Sequence, residues 1–156
     1  MILAITSEVL LIAIAVMAFI LFWCVLLFAI SMFSGWRQLA TVYGANAPLT
    51  GTRFRFQSAQ MRFSCNYGSC LTVTVNAEGL GLSVGAPFRS GHAPLFIPWS
   101  EISVKRETGV FKIVTAVFTF DRVPNVPVRV SEKLAEKIAA AAAKERTEQA
   151  EGGSAI

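Results

Sequence analysis

The feature that most constrains this chain is an uninterrupted apolar stretch near its N-terminus. Residues 9–33 read VLLIAIAVMAFILFWCVLLFAISMF and include no charged residue and no Gly or Pro that would interrupt a helix. As an α-helix this stretch would reach about 37 Å, whereas the hydrocarbon core of a bilayer is about 30 Å thick. The sequence therefore predicts an N-terminal membrane anchor over residues 1–33, with its span at residues 9–33.

A cleaved signal peptide is the alternative interpretation of the same stretch. Such a peptide carries Lys or Arg before a shorter apolar run and small residues at the cleavage site. Here the preceding residues, MILAITSE, have Glu8 as their only charged side chain, and the candidate triplet Ala29-Ile30-Ser31 is followed by bulky residues. These features favour a retained anchor.

The orientation follows from the positive charges beside the span. Arg37, Arg53, Arg55 and Arg62 follow the apolar stretch, and no Lys or Arg precedes it. Short flanks rich in Lys and Arg remain preferentially on the cytoplasmic side. We therefore expect a single-pass protein of the plasma (bacterial inner) membrane with a cytoplasmic soluble portion.

The rest of the chain is long enough for one small domain and too short for two. Residues 51–130 hold nine Lys and Arg against four Asp and Glu, a formal excess of +5. A basic domain tethered at a bilayer attracts anionic headgroups, at about 1 kcal/mol for each well-placed basic residue. The alternative is an ordinary solvated surface that follows the same positive-inside bias.

Residues 34–50 are predicted to form a juxtamembrane amphipathic helix and a linker. Trp36, Leu39 and Tyr43 recur at helical spacing, and Trp and Tyr favour the headgroup level of a membrane. Trp36, Arg37 and Tyr43 are therefore candidate membrane-interface residues. The alternative is that these aromatic side chains pack onto the domain, because aromatic residues dominate cores as well.

From Arg53 the apolar period changes from 3.6 to 2, which is typical of strands. We expect one bent first strand, a turn at residues 66–69, a hairpin around residues 76–79, and further short strands up to residue 130. Ser131 is a good N-cap for a C-terminal helix, which closes a domain over residues 51–146. Residues 147–156 are predicted to be a disordered tail.

Cys65 and Cys70 flank the predicted turn, a spacing that would place them opposite each other across a hairpin. A cytoplasmic domain keeps thiols reduced, so two ordinary thiols are favoured and a disulfide is the alternative. A metal site is disfavoured, because the chain has one His and no second Cys pair.

No constellation of catalytic residues is visible. His92 is the single histidine and is expected at the surface, and Asp121, the single aspartate, lies in a turn-like segment. Paired catalytic carboxylates, a phosphate-binding Gly-rich loop and a nucleophile elbow are all absent. We therefore predict no enzymatic activity, no cofactor and no metal. Nucleic-acid binding is also not expected, because the basic residues are scattered through strands.

The loop at residues 86–94 is a candidate contact site. Phe88 combines with the cationic Arg89 and with His92, a pattern by which a loop enters an interface while contacting phosphates. These three residues are candidates for contact with lipid or with a protein partner. An ordinary solvated loop is the alternative.

Residues 76–102, NAEGLGLSVGAPFRSGHAPLFIPWSEI, are similar to small bacterial single-pass membrane proteins that share a GL strand, a Pro-flanked loop and an IPWSEI element. The order of about seven strands and one C-terminal helix resembles a pleckstrin-homology (PH) or GRAM-like domain. The resemblance implies an α+β fold: a transmembrane helix, then a PH-like antiparallel barrel or bent sheet with a C-terminal helix. Lipid-binding members carry basic residues in the first hairpin loop, whereas the loop predicted here at residues 66–69 has none.

Three functions are consistent with these observations. The first is a non-enzymatic, membrane-tethered interaction module. The second is a domain that senses anionic lipids at the cytoplasmic membrane surface. The third is an accessory subunit of a membrane enzyme or transporter, with a membrane protein as its partner.

Overall fold

A computed structural model describes residues 2–154, with side chains from Thr6 onward. The helices are α1 (Ile2–Ser34), α2 (Trp36–Tyr43) and α3 (Glu132–Gly153). The strands are β1 (Thr52–Gln60), β2 (Asn66–Val75), β3 (Gly79–Val84), β4 (Leu95–Pro98), β5 (Ile102–Thr108), β6 (Val114–Phe120) and β7 (Val128–Ser131). Single 3-10 turns lie at Arg62–Ser64, Trp99–Glu101 and Val110–Lys112.

The N-terminal helix α1 has two differently covered parts. Among the described residues it is the one helix long and apolar enough to cross a membrane, a property that a signal sequence shares. Its side chains are exposed from residue 6 to residue 22. From Trp23 onward the helix contacts the rest of the chain, and Leu27, Ser31 and Ser34 are buried. The last third of α1 is therefore part of the folded domain.

Gly35 separates α1 from α2 and allows the chain to change direction. Its φ of 85° lies in the left-handed region, which side chains with a Cβ adopt at a cost. A Cβ at this position would approach Val126 Cγ2 to 2.6 Å. The glycine therefore permits both the backbone conformation and the close packing of α2 against the loop before β7.

The seven strands form one antiparallel sheet in the order β4-β3-β2-β1-β7-β6-β5, curled into a half-barrel. Helix α3 contacts β1, β2, β6 and β7, and α2 contacts β4. Both helices contribute side chains to a single buried cluster with the inward-facing strand residues. The predicted α+β class, with about seven antiparallel strands between an apolar helix and a C-terminal helix, is confirmed.

Helix α3 begins as the sequence predicts and ends later. The Ser131 Oγ accepts a hydrogen bond from Leu134 N at 3.3 Å, and Leu134, Ile138 and Ala142 lie buried on one face. The helix continues to Gly153, so residues 147–153 are helical where a disordered tail was expected. Positions 155 and 156 of that predicted tail lie outside the described residues.

The first hairpin differs from the sequence prediction. Residues 66–69 belong to β2, and the chain turns earlier, where Met61 N donates to Cys65 O at 2.8 Å. The predicted turn at residues 66–69 is wrong because Tyr67 is buried in the core, which holds this segment in the sheet. Cys70 lies in β2 and Cys65 directly precedes that strand, so the two residues do not face each other across a hairpin turn. Both are free thiols.

Candidate functional site

The loop between β3 and β4 packs directly onto α1. The Phe88 ring lies 5.9 Å from the Trp23 ring, and Ser31 Oγ donates a hydrogen bond to Gly91 O at 2.6 Å. Gly91 has a φ of 75°, and a Cβ on it would lie 3.3 Å from the Phe28 Cα. The loop thus follows the surface of α1 from Trp23 to Ser31, with backbone against backbone at Gly91.

A chain of buried hydrogen bonds joins three distant segments at the end of α1. Ser34 Oγ lies 2.8 Å from the Tyr67 hydroxyl, which lies 2.9 Å from His92 Nε2. His92 Nδ1 lies 3.0 Å from Ser90 O, which can only accept, so Nδ1 carries the hydrogen. The Tyr67 O–H therefore donates to His92 Nε2, and Ser34 O–H donates to Tyr67. We call Ser34, Tyr67 and His92 the junction network.

Trp36 closes the same junction from α2. Its indole N–H donates to Ala93 O at 2.8 Å, and its ring lies 5.6 Å from the Tyr67 ring and 5.3 Å from the His92 ring. Within residues 6–154, no buried side-chain nitrogen or oxygen lacks a hydrogen-bond partner. A buried polar network that is fully satisfied favours one arrangement of its members. The junction therefore fixes the domain relative to the last turns of α1.

Burial keeps the junction network neutral near pH 7. It raises the pKa of Tyr67 to about 12, and the Ser34 hydrogen bond opposes this rise. Burial also lowers the pKa of His92, against the effect of its backbone hydrogen bonds. Both shifts disfavour the charged form of a side chain that water does not reach.

The structure buries three of the six predicted contact residues. Trp36 is 0% exposed, Tyr43 3% and His92 2%. The two aromatic residues thus follow the alternative of packing on the domain, and the expected surface position of His92 is wrong. Phe88 is half-buried against α1. The exposed candidates are Arg37, whose guanidinium lies 4.8 Å from the Phe28 ring centre, and Arg89.

The turn between β1 and β2 contributes an element that the sequence did not identify. Phe63 at its tip is 70% exposed, and the Arg62 guanidinium lies 4.5 Å from its ring centre. This turn contacts α1. The first hairpin turn therefore carries a cation and an apolar ring, whereas the four residues predicted to form it carry no charge. Neither helical spacing nor turn composition in the sequence indicates that Arg62 and Phe63 lie at the hairpin turn.

The basic residues in the N-terminal half of the domain form no ion pairs with acidic side chains among the described residues. Glu78 is the single acidic residue between positions 9 and 100. The ion pairs of the described chain all lie between positions 101 and 148. Among the described residues, none of the five arginines between positions 37 and 89 forms an ion pair. These unpaired arginines are Arg37, Arg53, Arg55, Arg62 and Arg89.

Three of the unpaired arginines line one groove of ≈ 730 Å³ on the outer face of β1, β2 and β3. The segment at residues 45–49 forms one wall and the loop that begins at Gly85 forms the other. Ala45 N donates to Pro94 O at 2.8 Å, which ties the walls together. We call this site, with Arg53, Arg55 and Arg89, the arginine groove. None of the described residues along it is acidic.

The β5–β6 hairpin ends in an exposed apolar tip at Val110, Phe111 and Ile113. Phe111 is 89% exposed and has a φ of 63°. Phe56 and Phe63 are likewise exposed and left-handed. A bulky residue adopts this conformation at a cost of about 1–2 kcal/mol, which packing of an exposed ring does not offset.

The described residues give no indication of a metal site. No group of three His, Cys, Asp or Glu side chains within residues 6–154 could hold a metal ion. Burial in the junction accounts for the shifted pKa values of Tyr67 and His92. Burial likewise raises the pKa of Cys70, and the hydrogen bonds between Glu101 and Arg122 lower the pKa of the carboxyl and raise that of the guanidinium. Comparison of the chain with protein-family models, curated proteins and solved structures finds no match.

Proposed function

We propose that this chain is a single-pass membrane protein whose sheet domain is an interaction module for the bilayer surface, without enzymatic activity. The observation that carries the proposal is the contact of the Phe88 ring with Trp23 of α1. A loop seated on an apolar helix moves with that helix. The domain therefore stays at the membrane surface and does not extend from it on a flexible tether.

The length of α1 indicates how deep this loop lies. The uncharged stretch begins at Val9, and 20 helical residues span about 30 Å of hydrocarbon, which brings the opposite boundary to Phe28. Trp23 lies about 7 Å inside that boundary at 1.5 Å per residue. Phe88, which packs beside it, would thus enter the interface to the 5–10 Å depth that is typical of interfacial apolar groups.

Burial of the end of α1 supports a retained anchor over a cleaved signal peptide. Cleavage after Ser31 would remove Leu27 and Ser31, both buried against the domain, and the hydrogen bond from Ser31 to Gly91. The positive-inside rule and the arginines that follow α1 support a cytoplasmic domain at the bacterial inner membrane. The PH or GRAM-like resemblance is compatible with this function and remains part of the proposal.

The depth of the loop can be measured directly. The full chain, with its three cysteines replaced, is labelled with an environment-sensitive fluorophore at Ser90→Cys and reconstituted into bilayers. The matched control is Glu78→Cys, which lies in the turn at the opposite end of β2 and β3. We expect lipid-borne quenchers to quench the label at position 90, and aqueous iodide to quench the label at position 78. Equal quenching of both labels by iodide would contradict the proposal.

A second candidate function is supported by the exposed hairpin tip. Val110, Phe111 and Ile113 form an apolar patch at the β5 end of the sheet, whereas the loop on α1 leaves from the β3–β4 end. Exposed apolar side chains of this kind mark protein interaction sites. An accessory subunit of a membrane enzyme or transporter would contact its partner there. Photocrosslinking from position 111 in cells tests it, and absence of any protein adduct would contradict it.

A further inference from the structure

The arginine groove combines charge and shape in a way that the bilayer-surface function alone does not require. Its floor carries the hydroxyl groups of Thr72 and Ser83, which are neighbours across β2 and β3. Arg53 is held at one wall, where its Nη2 donates to Leu49 O at 2.6 Å. Guanidinium and hydroxyl groups are donors, so the groove presents hydrogen-bond donors to an acceptor-rich ligand.

A bulge in β1 places an aromatic ring beside these donors. The β1–β2 register shifts between Phe54 and Gln57, and Phe56 has a φ of 56°. Strict alternation would turn Phe56 to the same side as Phe54, towards the core. The bulge instead brings Arg55 and Phe56, adjacent in sequence, to the same groove, where Phe56 is 78% exposed. Phe56 thus has a strained backbone conformation at a position where its ring lies beside the arginines of the groove.

The groove also reaches α1. Phe88 lines one end of the groove and contacts Trp23 on the apolar helix. A ligand in the groove would therefore meet cationic groups on the sheet and an apolar surface beside α1. The ligand chemistry that combines a phosphate with an adjoining apolar chain is that of a phospholipid.

We propose that the arginine groove binds the phosphate of an anionic glycerophospholipid, with its first acyl carbons against Phe88. Arg55 and Arg89 hold the phosphate oxygens by charge-assisted hydrogen bonds, which guanidinium groups form in a bidentate manner. The inference rests on the proposed function, because a lipid reaches the groove only if the loop lies at the membrane surface.

The test is lipid retention by the full chain, measured by native mass spectrometry after release from nanodiscs of phosphatidylcholine with a minor fraction of phosphatidylglycerol. We expect preferential retention of one phosphatidylglycerol molecule. The double variant Arg55→Gln/Arg89→Gln should lower this preference about 30-fold, because each of the two basic residues contributes about 1 kcal/mol to the attraction of an anionic headgroup. Both side chains are exposed, so the variant should fold, and unchanged thermal unfolding verifies this.

The charge-matched control is Lys105→Gln/Lys112→Gln on the β5–β6 hairpin. It removes the same charge outside the groove and should leave the preference within about twofold, because general attraction is screened at physiological salt. An equal loss in both double variants, or no preference in the wild-type chain, would overturn the proposal. The double variant Arg55→Lys/Arg89→Lys, which keeps the charge but not the bidentate geometry, should retain part of the preference.

Two further arms distinguish the source of the ligand. Inorganic phosphate added in excess should not displace the lipid, because it lacks the apolar contact; displacement would assign the groove to a soluble phosphate compound. An acidic peptide that binds in place of the lipid would assign it to a protein partner. The Ser90→Cys quenching experiment in the same nanodiscs separates the two proposals. If lipid-borne quenchers quench the label at position 90 but phosphatidylglycerol is not preferentially retained, the groove proposal is refuted and the bilayer-surface function stands. If the label at position 90 is not quenched by lipid-borne quenchers, the bilayer-surface function is refuted.

Discussion

Replacing Tyr67 with Phe tests whether the junction network stabilises the contact between α1 and the domain. The change removes one oxygen and leaves the ring in place. His92 Nε2, in a side chain 2% exposed, then loses its donor, while the Ser34 hydroxyl can donate instead to Ser31 O at 3.3 Å. A lost hydrogen bond costs about 1 kcal/mol and an unsatisfied buried acceptor about 1–3 kcal/mol more. We expect a loss of about 2–4 kcal/mol in the free energy of unfolding.

The assay is thermal unfolding of the full chain in detergent micelles. For a chain of this length, about 1 kcal/mol corresponds to about 3 °C in Tm, so Tyr67→Phe should lower Tm by about 6–12 °C. The matched control is Tyr43→Phe. The Tyr43 side chain is also buried, but its hydroxyl bonds to Arg122 N at 3.3 Å and to the side chain of Glu101. Glu101 is partly exposed and also paired with Arg122, so water can replace the lost hydroxyl and we expect a loss of about 1 kcal/mol. Equal effects of the two substitutions would refute a special role for the junction network.

Four other substitutions probe the junction and the hairpin tip by thermal unfolding. Burial lowers the pKa of His92 in the folded chain below its usual value of 6.5, so below about pH 6.5 the folded chain binds fewer protons at this residue than the unfolded chain. The free energy of unfolding should therefore fall as the pH falls below about 6.5, and His92→Gln should reduce this dependence. Gly35→Ala should lower the free energy of unfolding by about 2–4 kcal/mol, because of the left-handed φ at this position and the overlap of the new Cβ with Val126. The double variant Gly35→Ala/Val126→Ala should lose less stability than the sum of the two single variants, because the smaller side chain relieves the overlap. Phe111→Asn should stabilise the chain by about 0.5–1 kcal/mol, because Asn tolerates φ of 63° and no packed ring is lost; a lower Tm would contradict this.

Periodic features of the structure were predictable from the sequence. The apolar stretch of α1, the alternation in β2 and β3 and the buried stripe of α3 each arise from a repeat that one segment contains by itself. The Asn76 turn is similarly local, since Asn76 Oδ1 accepts hydrogen bonds from Glu78 N and Gly79 N. Such features depend on neighbours in sequence, so pattern analysis finds them.

The junction depends on residues that are distant in sequence. Ser34, Tyr67 and His92 are separated by 33 and 25 positions, and no local pattern brings them together. The periodicity of α2 was correct, but an amphipathic helix has the same spacing whether a membrane or a protein core covers its apolar face. Trp36 is covered by protein, which the spacing alone could not distinguish.

The first hairpin shows tertiary packing overriding local turn signals. Residues 66–69 have a turn-rich composition, yet burial of Tyr67 keeps them in β2. The turn instead falls at Arg62–Ser64, which includes a Phe in a left-handed conformation that propensity does not favour. Because the turn was predicted at residues 66–69, the sequence analysis did not identify Arg62 as the basic residue of the first hairpin turn.

The central claim is that α1 and the sheet domain form one rigid unit at the membrane. Double electron–electron resonance between spin labels at Met17→Cys on the exposed part of α1 and Glu78→Cys in the β2–β3 turn tests it in bilayers. A domain clamped by the junction network should give a single narrow distance distribution. A broad distribution, as expected for a domain on a flexible tether, would contradict the account.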